Sequence, residues 1–201
     1  PDGVDLEVGG TVEDQGDAFG DLGTLLILIV ILVYIVMATQ FESLKFPFII
    51  MFTIPFAFTG VFLALWMTST PLSLIALIGA IMLVGIVTKN GIVMVDYMNL
   101  LVERGSGVFD AVIAGGKSRL RPVLMTSFTT ILGMLPLAIG TGAGSETWQP
   151  MGIAVIGGLT FSTILTLFIV PVLYSILVNR SQRKEREKLA RLSAEHQASK
   201  H

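Results

Sequence analysis

Five apolar runs, at residues 22–39, 46–67, 72–101, 123–139 and 151–178, take up most of this 201-residue chain, and only the third contains any charged side chain. A bilayer has a hydrocarbon core about 30 Å thick, which a helix crosses with roughly 20 residues at ~1.5 Å each. Inside lipid no water is available to satisfy a free backbone, so runs of this length have to be helical. Apolar residues make up 53% of the chain and charged residues 14%, a balance that excludes an ordinary soluble domain. The fold class that follows is an all-α integral membrane protein, a five-helix transmembrane bundle. The first run is not a signal peptide, because residues 1–21 carry seven acids and no base, the reverse of a secretory leader.

Lysine and arginine set the orientation. Lys45 lies in the first short loop, Arg104, Lys117, Arg119 and Arg121 in the third connection, and seven of the 13 basic residues from Arg180 onward. The loops at residues 68–71 and 141–150 contain none. Basic and basic-free loops alternate, so the positive-inside rule places the N-terminus outside and the C-terminus in the cytoplasm. Residues 1–21 alternate Val4, Leu6 and Val8 with polar residues and then present Thr11 and Asp14, which reads as a short strand and a capped helix start. A strand with no partner reads as a remnant of a larger extracytoplasmic domain, 22–178 as the membrane bundle and 179–201 as a solvated cytoplasmic tail. Residues 99–120 predict a surface connection, with a short amphipathic helix around Phe109, Ala111, Val112 and Ile113. His196 and His201 form no ligand set, the chain has no Cys, and no basic and aromatic surface suggests a nucleic acid.

Lys89 is the residue that asks for a function. It sits only about 4 Å along the helix from the middle of its own run. A cation there costs roughly 2.5–3.5 kcal/mol on insertion scales and is too deep to snorkel, so it faces protein or a wet cavity and marks an ion pathway. Gly85, Lys89 and Asp96 share one helix face, since offsets of four and seven return to nearly the same angle. Asp96 is the only acid in any run. It lies about 10 Å along the axis from Lys89, too far for a direct ion pair. The counter-ion is absent from this sequence.

The fourth run follows Arg119 and Arg121 and carries Thr126, Ser127, Thr129 and Thr130, with Thr126, Thr130 and Gly133 on one face. Hydroxyls in membrane helices commonly bond back to their own backbone. Beside a buried Lys, however, a hydroxyl stripe suits a proton relay better than a substrate pocket, because hydroxyl, ammonium and water exchange hydrogen bonds without selecting a shape. In the fifth run Ala154, Gly158, Ser162 and Thr166 recur every four residues and predict close packing with another helix. Pro55, Pro136 and Pro171 predict bends.

The strings FESLKFPFIIMFTIPFAFTG, GIVTKNGIVMVDYMN, RLRPVLMTSFTTILGMLPLAIGTGAGSE and MGIAVIGGLTFSTILTLFIVPVLY closely resemble the C-terminal transmembrane half of resistance-nodulation-cell division efflux transporters. The resemblance covers almost the whole chain. It implies a multi-pass protein of the bacterial inner membrane, with residues 1–21 as the end of a periplasmic domain. By position, Lys89 resembles the family's essential lysine, Thr126 the threonine of the neighbouring helix and Arg119 an arginine on the cytoplasmic proton route, with Asn90, Asp96 and Thr130 as supporting residues. In the family that lysine pairs with adjacent aspartates from the N-terminal half, which is the partner this sequence lacks. The resemblance further implies protons as the coupling ion, no bound cofactor or metal, and a homotrimer that docks on a periplasmic adaptor.

Secondary transport by proton antiport is thus the expectation rather than enzymatic catalysis. The nine Met are scattered over the spans instead of lining one face, which favours the multidrug, amphiphile-exporting type over the metal-exporting one. Two alternatives remain open: a non-transporting membrane scaffold that uses Lys89 to lock onto an acidic partner helix, and a relative that moves lipid or assists protein export.

Overall fold

The structure, a computed structural model, describes residues 11–140, 142 and 144–198, with side chains over 14–140, 142 and 144–180. The expected strand through Val4, Leu6 and Val8 and the side chains of His196 and His201 lie outside these residues. The described chain is helical, in the order α1 (Thr11–Phe41), α2 (Lys45–Met51), α3 (Thr53–Met67), α4 (Leu74–Glu103), α5 (Val108–Ile139) and α6 (Ser145–Ala198). Helices α2 and α3 together make one span, and the described chain has five spans long and apolar enough to cross a membrane.

The interruption at Phe52 has a local cause. Pro55 offers no N–H to the carbonyl of Met51, four residues earlier, and its ring crowds that carbonyl. The Phe52 N–H still bonds to the Phe48 carbonyl at 3.2 Å, so α2 and α3 stay nearly continuous. Pro136 and Pro171 are held inside α5 and α6 without ending them. Ser73 caps α4 by accepting the Ala76 N–H at 3.2 Å. Gly140 closes α5 in the left-handed region at φ 72°, where a side chain would be strained.

One feature differs from the sequence reading of the polar segments. The amphipathic stretch around Phe109 to Ile113 is not a separate surface helix but the first turns of α5, which runs unbroken into the fourth span. Helix α6 continues beyond its span through the tail to Ala198. Both segments adjoin a helix that is already nucleated, and extending a helix is far cheaper than starting one.

In lipid, apolar burial does not drive helices together, and small residues that admit close contact do. Helix α6 is the hub, packing against α3, α4 and α5. Its predicted stripe of Ala154, Gly158, Ser162 and Thr166 is buried along its full length. A Cβ placed on Gly60 of α3 would lie 2.6 Å from the Phe161 Cβ and 2.8 Å from the Gly157 carbonyl oxygen. Gly157 meets Ala64 and Gly158 meets Leu83 in the same way. A first core forms there, around Ala57, Val61, Leu83, Ala154 and Leu159. A second lies toward the opposite ends of the helices, around Met37, Ile49, Met94, Met98 and Tyr174. It is pinned by a 2.6 Å hydrogen bond from the Tyr174 hydroxyl to Asn99 Oδ1 and by Phe46 stacked on the Tyr174 ring at 5.7 Å.

Candidate functional site

Helix α4 has two unlike faces because its buried and exposed residues alternate with the helical period. Leu83, Val84, Val87, Thr88, Gly91 and Val95 turn inward, and Thr88 satisfies its hydroxyl on the Val84 carbonyl at 2.6 Å. Gly85, Lys89 and Asp96 share the outer face of α4, as their spacing predicts, and all three are exposed. Among the described residues Lys89 makes no hydrogen bond or ion pair. Asn90 beside it is half-buried. Asp96 does not approach Lys89; with Gln40, Glu42, Asn99 and Glu103 it lines a cavity of about 270 Å³ where the end of α1 meets α4.

The α5 residues flank this face. Thr126 is exposed and donates to the Val123 carbonyl at 3.0 Å, while half-buried Thr130 donates to the Thr126 carbonyl at 2.9 Å. Their hydroxyls thus return to their own helix, and neither bonds to Lys89. The α4–α5 register nevertheless brings the two groups to similar depth. Gly115 packs directly on Met98. Counting back nine residues to Lys89 and forward eleven to Thr126 covers about 13.5 and 16.5 Å, so the two lie within about one helical turn of each other in depth. Arg119 is half-buried, and its guanidinium carbon sits 4.6 Å from the centre of the Tyr97 ring on α4.

Two relationships go beyond what the spacing of residues within single runs predicts. Ser127, on the inner side of the same α5 turn as Thr126, shares a buried 3.0 Å hydrogen bond with Thr163 of α6. Tyr97 underlies Arg119. Both are pairs between helices, and periodicity within one run carries no signal for them. Helices α4 and α5 therefore carry an outward, partly polar surface on which Lys89, near the middle of its span, has no partner among the described residues.

The match to the AcrB/AcrD/AcrF family covers residues 1–178. Among similar proteins, the swarming motility protein SwrC of Bacillus subtilis is 38% identical over 185 residues, 92% of this chain and 18% of SwrC. The cobalt-zinc-cadmium resistance protein CzcA of Cupriavidus metallidurans is also 38% identical over 185 residues, 92% of this chain and 17% of CzcA. The multidrug resistance protein MdtC of Erwinia tasmaniensis is 43% identical over 164 residues, 81% of this chain and 16% of MdtC. A crystal structure of a heavy metal efflux pump superposes with a TM-score of 0.77 at 31% identity, covering 87% of this chain and 18% of that one. The chain thus spans less than a fifth of the length of these relatives. Relatives named for metals and for drugs stand at comparable identity, so family membership does not choose between those cargoes. With five helices long and apolar enough to span a membrane, the family's sequence over residues 1–178 and a fold shared with part of an efflux pump, the chain is a multi-pass membrane protein that belongs to the AcrB/AcrD/AcrF family of transporters.

Proposed function

We propose that this chain serves as the C-terminal membrane part of a proton-driven efflux pump in the bacterial inner membrane, with Lys89, Thr126 and Arg119 in its proton relay and Asn90, Asp96 and Thr130 supporting it. The observation that carries this reading is the outward Lys89, exposed near the middle of a membrane span with no partner among the described residues. Lipid cannot cover such a charge cheaply. In the working transporter the face is covered by helices of the remaining sequence, which bring carboxylates to Lys89. Protonation of those carboxylates releases the ammonium, and the resulting shift of α4 against its neighbours drives distant domains. Protons are the coupling ion, and no bound cofactor is needed.

The distribution of Lys and Arg supports an extracytoplasmic N-terminus and a cytoplasmic C-terminus. We assign amphiphilic compounds as cargo, a reading supported by the scattered Met and by the 43% identity to a protein named for multidrug resistance. The pump assembles as a homotrimer on a periplasmic adaptor.

The test is made in the complete transporter, reconstituted at matched abundance in liposomes with an imposed proton gradient. Lys89→Met keeps size and apolarity but deletes the charge, and is expected to assemble and to lose gradient-driven efflux. Normal gradient-driven efflux by Lys89→Met would reduce Lys89 to a packing residue. An amphiphilic dye and divalent zinc, offered in parallel, separate the cargo classes; efflux of zinc alone overturns the amphiphile assignment.

A further inference from the structure

Arg119 is held in an unusual way for a half-buried cation. No carboxylate lies within ion-pairing distance among the described residues, and its Nε is buried without a hydrogen-bond partner. Glu42, Asp96 and Glu103 line the cavity beside α1. What does hold the guanidinium is the face of Tyr97, 4.6 Å away and well inside the ~6 Å range of cation–ring attraction.

A ring and a carboxylate have different chemical consequences. A carboxylate would take two of the guanidinium donors in a bidentate pair and cancel its charge. An aromatic face attracts the cation through its quadrupole, leaves the charge in place and occupies none of the in-plane N–H donors. The hydroxyl of Tyr97 makes no hydrogen bond among the described residues, so the ring itself is the contact.

We propose that Tyr97 is a positioning residue for Arg119, clamping the guanidinium against α4 without engaging its N–H donors, which are left for an oxygen acceptor on the proton path. This inference rests on the reading of Arg119 as part of the relay. It also gives the α4–α5 hairpin a defined register near its turn, because the clamp joins the last turns of α4 to the early turns of α5.

The experiment uses the complete transporter in liposomes, with Tyr97→Phe, Tyr97→Trp, Tyr97→Leu, Arg119→Gln and the double variant Tyr97→Leu/Arg119→Gln at matched abundance and matched thermal stability. Lys89→Met serves as the control for the underlying function. Tyr97→Phe and Tyr97→Trp keep an aromatic face and are expected to retain gradient-driven efflux. Tyr97→Leu is expected to lose about tenfold, the size of a partly desolvated cation–ring contact. The double variant should be no slower than Arg119→Gln alone, since Tyr97 acts through Arg119. Wild-type efflux by Tyr97→Leu overturns the proposal, as does Tyr97→Phe failing as badly as Tyr97→Leu or the double variant falling well below Arg119→Gln. If Lys89→Met itself transports normally, the proton-relay reading fails. If Lys89→Met is inactive while Tyr97→Leu is normal, only the clamp fails.

Discussion

The side-chain oxygens of Ser127 and Thr163 lie 3.0 Å apart in a hydrogen bond that joins α5 to α6 inside the membrane span. The other Ser and Thr hydroxyls with partners in the described spans bond locally, as Thr59 does to the Pro55 carbonyl and Thr160 to the Ile156 carbonyl. Substituting Ser127→Ala leaves Thr163 free to bond its own backbone in that same local way, so the loss should be modest. A double-mutant cycle of Ser127→Ala and Thr163→Val, read by unfolding in detergent, is expected to give a coupling of about 0.5–1.5 kcal/mol. A coupling indistinguishable from zero would remove this bond as a determinant of how α5 is set against α6.

Glycines in this fold differ sharply in what a methyl group would meet. At Gly158 it would run into Leu83, with Val61 Cγ2 at 2.8 Å and the Ala57 carbonyl oxygen at 3.1 Å, whereas at Gly133 nothing lies within 4 Å. Gly158→Ala is therefore expected to destabilise by roughly 1–3 kcal/mol through overpacking. Gly133→Ala should be neutral in the bundle, or stabilising by up to about 1 kcal/mol because Ala is the better helix former. Thermal unfolding of the two variants in the same detergent checks the order, and a reversed order would contradict the close α3–α4–α6 approach.

Tyr174 is fully buried and pairs with Asn99 at 2.6 Å. Tyr174→Phe preserves the stack on Phe46 and removes only the hydroxyl. The expected cost is about 1 kcal/mol, and Asn99→Leu should cost more, up to roughly 3 kcal/mol, because it leaves the tyrosine hydroxyl without its acceptor. Equilibrium unfolding of the single variants tests this asymmetry.

The chain has no Cys, so single-Cys probes report its topology without background. Ser69→Cys and Ser106→Cys both sit on exposed turns, at opposite ends of α4. With the orientation proposed here, an impermeant maleimide added outside intact cells labels Ser69→Cys and leaves Ser106→Cys untouched until the membrane is opened. The opposite pattern would invert the topology.

Much of the fold was legible in the residues because lipid restricts the options so severely. Length and apolarity alone give five spans, and the 3.6-residue period places Gly85, Lys89 and Asp96 on one face, where the structure has them exposed. The α6 stripe was legible for the same reason, since only small side chains permit backbones to touch. The ends of the helices were harder. Polar residues such as Arg104 to Ser118 signal an exit from the membrane but not whether the chain uncoils, and α5 begins within that segment at Val108. Contacts between helices were least legible. Tyr97 under Arg119, Ser127 against Thr163 and Asn99 against Tyr174 depend on the register of one helix on another, which is fixed by turns and close glycine contacts rather than by any local pattern.

The uneven burial of the spans decides which helices are left to make outside contacts. In the spans containing α3, α4 and α6, 44–50% of the most apolar stretch is buried within the chain, against 11% in α5 and 6% in α1. Sliding α3 over α6 would drive Gly60 and Gly157 into neighbouring atoms, so the three central helices resist shear as one stiff block. Helix α5 is also packed closely on its neighbours, with Gly152 of α6 against the Ala138 backbone and Gly115 against Met98, yet it leaves most of its apolar surface uncovered. The uncovered apolar surface is thereby concentrated on α1 and α5, so contacts from outside the bundle fall first on the helices at its edge, one of which carries Thr126 and Arg119.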